Sequence, residues 1–254
     1  MKFSSVLFSL FFLFYTSANA QHFAIEIQAG RFYPSLTGLI GDIPNCQYTV
    51  YRSDFPDISF EYTAPSGLLF AATIGYQRDW FGFGERLPAS VPTYGGPVSF
   101  TKTYKSLPLI LSSGYAGDIG RSHFHFSARA GIGLGMVHSD DVSKDYLFDG
   151  IAQFTDKQGQ NHWDSQHVKI DVADKSVRKF LAQVRASVSL EYRREHFFAR
   201  TFLEARSWLG GFGEIQYHSE NSSTYYNYNQ VSDGHFSLRT GYLGAGIGIG
   251  WHFQ

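Results

Sequence analysis

Residues 180–192 alternate, with Leu181 the one apolar residue on the polar side. Phe180, Ala182, Val184, Ala186, Val188, Leu190 and Tyr192 fall on one side, and Gln183, Arg185, Ser187, Ser189 and Glu191 on the other. A period of two makes this a β-strand with one greasy face and one polar face. The pattern recurs along the chain. Phe23, Ile25, Ile27 and Ala29 oppose Glu26, Gln28 and Gly30 in a first strand. Leu68, Phe70, Ala72, Ile74 and Tyr76 mark a third, and Leu107, Leu109 and Leu111 mark a fourth from about Val98 to Tyr115. In the fifth, Phe124, Phe126, Ala128, Ala130, Ile132 and Leu134 oppose His123, His125, Ser127, Arg129, Gly131, Gly133 and Gly135. In the seventh, Phe197, Ala199, Thr201, Leu203 and Ala205 oppose Arg200, Glu204 and Arg206. The eighth runs Leu243, Ala245, Ile247, Ile249, Trp251 and Phe253, with four glycines and His252 opposite. A second strand spans about Gln47 to Tyr62, with a bulge expected near Pro56. No stretch carries a helix period and no linker divides the chain.

The connections alternate in length. Those around Pro65, Gly117 and Arg194 are short. Those at Tyr33–Cys46, Phe83–Gly96, Ser139–Lys175 and Gln216–Gly234 are long, polar loops. An antiparallel strand set with short turns at one end and long loops at the other is the asymmetry of a membrane barrel. The expected fold is therefore all-β: a closed, antiparallel, up-and-down transmembrane barrel of about eight strands, an even number.

Composition decides which face points outward. Of 254 residues, 17% are aromatic and 17% charged, the latter against roughly 25% in an ordinary soluble domain. The mean hydropathy of −0.19 is too polar for a bundle of membrane helices. The polar faces carry Glu26, Arg129, Arg185, Glu191, Arg200, Glu204 and Arg206. An arginine facing lipid at mid-bilayer costs about 2–4 kcal/mol, so these charges belong in the lumen, paired with one another. The lumen of so small a barrel has room only for its own side chains. The glycine runs make space for long arginines and Trp208. A soluble ligand-binding barrel would reverse the faces and pack Phe, Leu and Ile centrally. A net charge of −1 supplies no basic surplus for nucleic acid. The lone Cys46 permits no internal disulfide and reads as a small buried hydrophobe.

Met1–Ala20 reads as a signal peptide. Lys2 precedes the apolar run Val6–Tyr15, and Ala18-Asn19-Ala20 offers a small-x-small cleavage site, which leaves a mature domain of residues 21–254. The run is shorter than the roughly 18 residues of a spanning helix. A mature chain that meets a membrane must then cross it with strands. The expected location is the outer membrane of a Gram-negative cell.

The chain resembles the small outer-membrane β-barrel family, the OmpA/OmpX-like or porin-family domain. The resemblance covers nearly all of Gln21–Gln254 and rests on Lys105–Leu111, on Ala130–Gly135 and on the last strand. Members of the family end in an assembly signal of a glycine, two residues, an aromatic, one residue and an aromatic. Gly248, Trp251 and Phe253 match it, with Gln254 as an extra last residue. The resemblance implies outer-membrane lipid and the barrel assembly machinery as partners. It also implies a structural or surface-recognition role through extracellular loops, or slow passage of small solutes. Fold alone does not select among these roles.

No catalytic set emerges. His125-Phe126-Ser127 resembles the His and Ser of outer-membrane lipid A deacylases, but that motif continues with Asn and Ala128 stands here. The same spacing recurs at His235-Phe236-Ser237. An enzyme acting on lipid A or on peptides is the alternative function, and the acids and histidines of a loop rim (His138, Asp140, Asp141, Asp145, His162, Asp164) are where peptide chemistry would sit. His123 and His125 lack a third metal ligand. No metal or cofactor is expected. In the last long loop, Tyr225, Tyr226 and Tyr228 combine rigid aromatic surface with neighbouring asparagines, the composition of a binding loop. They are the candidates for contact with an extracellular ligand.

Overall fold

The computed structural model describes residues 22–34, 38–41, 46–50, 53–85, 99–139, 144–155, 158–225 and 227–253. The signal segment Met1–Ala20 lies outside the described residues. The strands are β1 His22–Pro34, β2 Gly38–Gly41, β3 Cys46–Val50, β4 Ser53–Thr63, β5 Leu68–Gly75, β6 Gln77–Glu85, β7 Ser99–Asp118 and β8 Phe124–Ser139. They continue with β9 Lys144–Thr155, β10 Asn161–Val177, β11 Phe180–Arg194, β12 Phe197–Trp208, β13 Gly213–Ser223, β14 Tyr228–Arg239 and β15 Gly241–Phe253.

A single wall closes on itself. β1 pairs with β4 on one side and with β15 on the other. From β15 the order continues through β12, β11 and β8, and β8 pairs with β7 to shut the ring. The long β7 pairs with β5 and β6 in turn, and β3 and β4 pair with β6 and β5. β3 with β4, and β5 with β6, are thus successive parts of two staves. The result is a closed antiparallel barrel of eight staves. Closure leaves no free edge in the ring, which a bilayer demands of any sheet.

Three tight turns join staves at one end. Gly67 takes φ 85° in the first, where its amide donates to Ala64 O at 2.9 Å. A side chain there would meet the Tyr115 ring at 2.5 Å. Ile119–His123 forms the second, and Glu195, at φ 53°, with His196 forms the third.

The other end differs from the loops expected there. Much of Ser139–Lys175 and Gln216–Gly234 is strand: β9, β10, β13 and β14, with β2, form a second sheet in the order β2-β14-β13-β10-β9. These strands continue the chain of β8, β11, β12, β15 and β1 beyond the barrel. Their inward positions mix types: Asp164, Gln166, Val168 and Val172 on β10, and Ile215, Tyr217, Ser219, Asn221 and Ser223 on β13 are all buried. Five of these nine are polar, so the period of two is present but unmarked by hydrophobicity. The expected bulge at Pro56 is also absent. Phe55, Pro56 and Asp57 pair in unbroken register with Gly30, Ala29 and Gln28. The interruption lies in the facing stave instead, at Tyr76, whose amide donates to Pro56 O at 3.0 Å.

The faces separate cleanly. Ile27, Leu111, Ile132 and Ile247 leave 59–64% of their surface exposed on the outside, while Glu26, Arg185, Glu204 and Arg206 leave 2% or less within. About ten residues at 3.3 Å each, tilted by about 40°, give a belt roughly 25 Å tall. Aromatic residues gather at its tight-turn end: Tyr62, Phe70, Tyr115, Phe124, Tyr192, Phe197, Trp251 and Phe253.

Candidate functional site: the lumen and the outer hairpins

The lumen is stratified. Nearest the tight turns is an ion cluster centred on Arg200 of β12. Its Nη1 donates to Glu26 at 2.5 Å and to Glu61 at 2.7 Å. Its Nη2 donates to Glu61 at 2.8 Å and to Glu191 at 2.6 Å. Arg129 also donates to Glu61, and through Nε to Ser187 Oγ at 3.1 Å. Glu191 further accepts from Arg193 at 3.0 Å and lies 3.2 Å from His252 Nε2.

Gln28 ties this cluster to a second one. It donates to Glu26 at 2.7 Å and accepts from Arg185 Nη2 at 2.9 Å. Arg185 Nε donates to Glu204 at 2.6 Å, and Arg206 donates to both Glu204 and Asp57. Five carboxylates (Glu26, Asp57, Glu61, Glu191, Glu204) therefore meet five guanidiniums (Arg129, Arg185, Arg193, Arg200, Arg206). Such balance is what permits burial, since a lone charge in low dielectric is far costlier than a paired one.

Above the ions sit aromatic rings. Phe32 and Phe55 stack at 4.2 Å, with Phe202 and Tyr242 alongside. The Arg206 guanidinium lies 4.1 Å from the Phe55 ring centroid and 4.8 Å from that of Phe32, so it is covered by π faces as well as paired. Next come Gln77, Gln183 and Asp79. Gln77 Nε2 donates to Asp79 at 2.8 Å, Gln183 donates to Gln77 at 2.9 Å, and the Tyr242 hydroxyl bonds to Asp79. At the top, Phe81, Tyr104, Trp208, Phe212, Ile215, Tyr217, Phe236 and Leu238 form an apolar core where the barrel meets the second sheet. Lys102 and Asp174 pair beside it. The interior is thus not an ion network alone. Phenylalanines are central too: Phe32 and Phe55 lie against Arg206, and Phe198 lies beside Arg200.

The glycines of β15 are shaped to these contents. A Cβ on Gly248 would lie 1.9 Å from Glu26 Oε1, one on Gly250 2.3 Å from Phe198, one on Gly246 2.4 Å from Phe202 and one on Gly244 2.1 Å from Phe32. Gly135 likewise clears Trp208, by 2.5 Å. The bare faces mostly accommodate rings and one carboxylate, rather than arginines.

The structure brings all seven sequence-identified lumen charges together and adds Asp57, Glu61 and Arg193. Asp57 and Glu61 alternate with Ile58 and Phe60 on β4. That signal was present in the sequence, masked by Pro56. Gly248 faces inward, while Trp251 and Phe253 face outward at the tight-turn end. His125 and Ser127 do not meet: His125 Nδ1 is 2.6 Å from Asp118, and Ser127 Oγ is 2.7 Å from Ser189 Oγ. Among the described residues, no three His, Cys, Asp or Glu are grouped to hold a metal. Asp140, Asp141 and Tyr226, and the side chains of Cys46, Asp145 and Tyr228, lie outside the described residues.

At the outer hairpin tip, buried Asp164 accepts from Ser223 Oγ at 2.8 Å and from the Tyr225 amide at 3.0 Å. Burial works to raise its pKa, but these bonds and those from Gln166 and Thr224 outweigh it and hold the carboxyl below the usual range. The clamp presents Tyr225, its ring 4.7 Å from His162, while Trp163 is exposed on the other face of β10. Lower on the same sheet, His218 bridges two acids: Nε2 to Glu220 at 3.0 Å and Nδ1 to Asp233 at 2.5 Å. These bonds raise the His218 pKa above its ordinary value, Glu220 contributing most.

Together, the closed wall, the apolar belt and the ion-filled lumen define the fold of a small outer-membrane β-barrel. No family model matches the chain, and neither does any curated protein. Among solved structures, the chain is similar to the outer membrane protein OprG from Pseudomonas aeruginosa, at 12% identity over 92% of this chain and 97% of that one, with a TM-score of 0.56. It also matches Neisserial surface protein A, NspA (12% identity, 91% and 99% covered, TM-score 0.40) and a major outer membrane protein from Thermus thermophilus (12%, 92% and 100%, TM-score 0.41). The likeness to OprG, at that identity, is one of fold.

Proposed function

We propose that this chain is exported, loses Met1–Ala20, and sits in the outer membrane of a Gram-negative cell as a barrel with a blocked lumen. Its work is then structural, or recognition at the cell surface, rather than catalysis or bulk transport. The observation that carries this reading is the filled interior. Trp208, Arg206, Tyr104, Tyr242, Phe32, Phe55, Phe81, Lys102, Phe198, Phe212 and Phe236 are each almost wholly buried, and they occupy every level from the ion clusters to the outer core. Solute passage would require several of these to move at once.

The recognition surface is the tip of the outer sheet, where the Asp164 clamp holds Tyr225 beside His162 and where Trp163 is exposed on the other face of β10; Tyr226 and Tyr228 follow in the same segment. Insertion proceeds through the assembly machinery, with Gly248, Trp251 and Phe253 of β15 as the signal it reads. Planar-bilayer recording tests the blocked lumen. The purified protein is expected to give no steady conductance, and a variant with both Arg206 and Trp208 cut to alanine should conduct. Stable single-channel steps from the unaltered protein would refute the reading.

A further inference from the structure

Of the four tryptophans in the chain, three have partners. Trp208 packs in the outer core against Phe212, Trp251 stacks on His196 at the tight-turn end of the belt, and Trp80 backs the Arg78 guanidinium. Trp163 differs. Its ring meets no aromatic or cationic group among the described residues, and 64% of its surface is exposed. It is also out of reach of lipid. Trp163 lies fourteen residues along β10 from Val177, where that strand ends above the barrel, roughly 45 Å along the strand. The headgroup zone is only about 5–8 Å deep on each side of a bilayer. An indole held there in water is a large flat apolar area still available for burial.

Its surroundings on the outward face are neutral and polar. Gln153 of β9 pairs directly with Trp163, and the pairs Ile151–Ser165 and Thr155–Asn161 flank it on either side. Such neighbours stand about 5–8 Å away, Cβ to Cβ. Thr155 Oγ1 donates to Asn161 Oδ1 at 2.7 Å, which leaves the Asn161 amide protons for another acceptor. The Gln153 amide and the Ser165 hydroxyl are likewise without a partner among the described residues. Charge begins one row lower, where Asp149 pairs with His167, and Lys169, Asp171, Glu220 and His218 follow. Among the described residues, none of these ion pairs reaches the rows around Trp163.

We propose that Trp163, with Gln153, Asn161 and Ser165, binds a neutral sugar residue of an extracellular glycan. The proposal rests on the surface-recognition reading above and names its ligand class. A sugar ring has a face of polarised C–H groups, which the negative π face of an indole attracts. Its rim of hydroxyls both donates and accepts, as do the amides and hydroxyl around Trp163. A cationic ligand would call for a carboxylate beside the ring and an anionic one for a base, and the described neighbours offer neither. An apolar peptide would find only Ile151 as a second greasy contact. The ladder of β9 and β10 holds the platform flat, so little order is lost when the ligand docks.

An array of neutral, sialylated and sulfated oligosaccharides, probed with the purified full chain in detergent, tests this. Binding is expected on neutral glycans, and calorimetry with the best of them then compares variants. W163A should lose at least tenfold in affinity, W163F should recover part of that loss, and N161A and Q153A should each lose severalfold. V231A, at an exposed position of β14 on the same sheet, should bind as the parent does. No binding to any neutral glycan, a preference for the acidic ones, or W163A within twofold of the parent each overturns the proposal. Heat-dependent gel migration verifies that each variant is folded. Labelling of intact cells carrying Cys46→Ser with N229C, using a membrane-impermeant maleimide, tests surface exposure separately. No labelling sinks the surface-recognition reading, whereas labelling without neutral-glycan binding sinks only the sugar site.

Discussion

Replacing Arg200 by methionine removes the hub of the lower ion cluster while keeping a long, apolar stem. Its three carboxylate partners then fare differently. Glu61 keeps Arg129, and Glu191 keeps Arg193 and His252. Glu26 keeps only the Gln28 amide among the described residues. One buried carboxylate is thus left without its cation, and breaking a buried pair in this way costs about 3–5 kcal/mol. Urea unfolding in phosphocholine vesicles, followed by tryptophan fluorescence and gel migration, should show a loss of that size for R200M. Adding E26Q to R200M removes the stranded charge and should restore about 2 kcal/mol, so the two changes are strongly non-additive. The reasoning fails if R200M lies within about 1 kcal/mol of the parent, or if the two substitutions add within about 0.5 kcal/mol.

G248A forces a Cβ to within 1.9 Å of Glu26 Oε1; the overpacked lumen should lose about 1–3 kcal/mol in the same unfolding assay. L111R places a charge on the outward face near the middle of the belt and should cost about 2–4 kcal/mol in vesicles. His218 has a raised pKa in the folded hairpin. Its bridge therefore stabilises fully below the unfolded value of about 6.5 and weakens as pH rises through the folded value. An NMR titration of the His218 ring should give a midpoint above about 6.5, and H218Q should abolish any pH dependence of proteolysis in the β13–β14 hairpin.

The barrel was legible because its two faces differ so sharply in composition where they cross the belt. Ile25, Ile27 and Ala29 against Glu26 and Gln28 state both the strand and its orientation, and β8, β11, β12 and β15 repeat the statement. Legibility fades where the outer environment becomes water. On β10 and β13 the inward side carries Asp164, Gln166, Ser219 and Asn221 beside Val168 and Tyr217, and both faces are polar enough to read as loop. Once a strand leaves lipid, its outward positions need not be greasy, and the hydrophobic contrast is lost although the hydrogen-bonded ladder continues. The lumen was half legible. Seven charges could be placed inside by parity, but their partners could not, because pairing depends on register. Arg200 reaches Glu26 and Glu61 from staves more than a hundred residues away in sequence. The layering of rings above ions likewise depends on which levels of several staves coincide.

Nitroxide labels at Leu111, Ile132 and Ile247, introduced after Cys46→Ser in protein reconstituted into vesicles, put the assignment of faces to the most direct test. Collision with dissolved oxygen should far exceed collision with a water-soluble nickel chelate at all three, with the reverse at exposed Ser66 in the tight turn. Nickel-chelate collisions outrunning oxygen at Leu111, Ile132 and Ile247 would place that face in water and contradict the account.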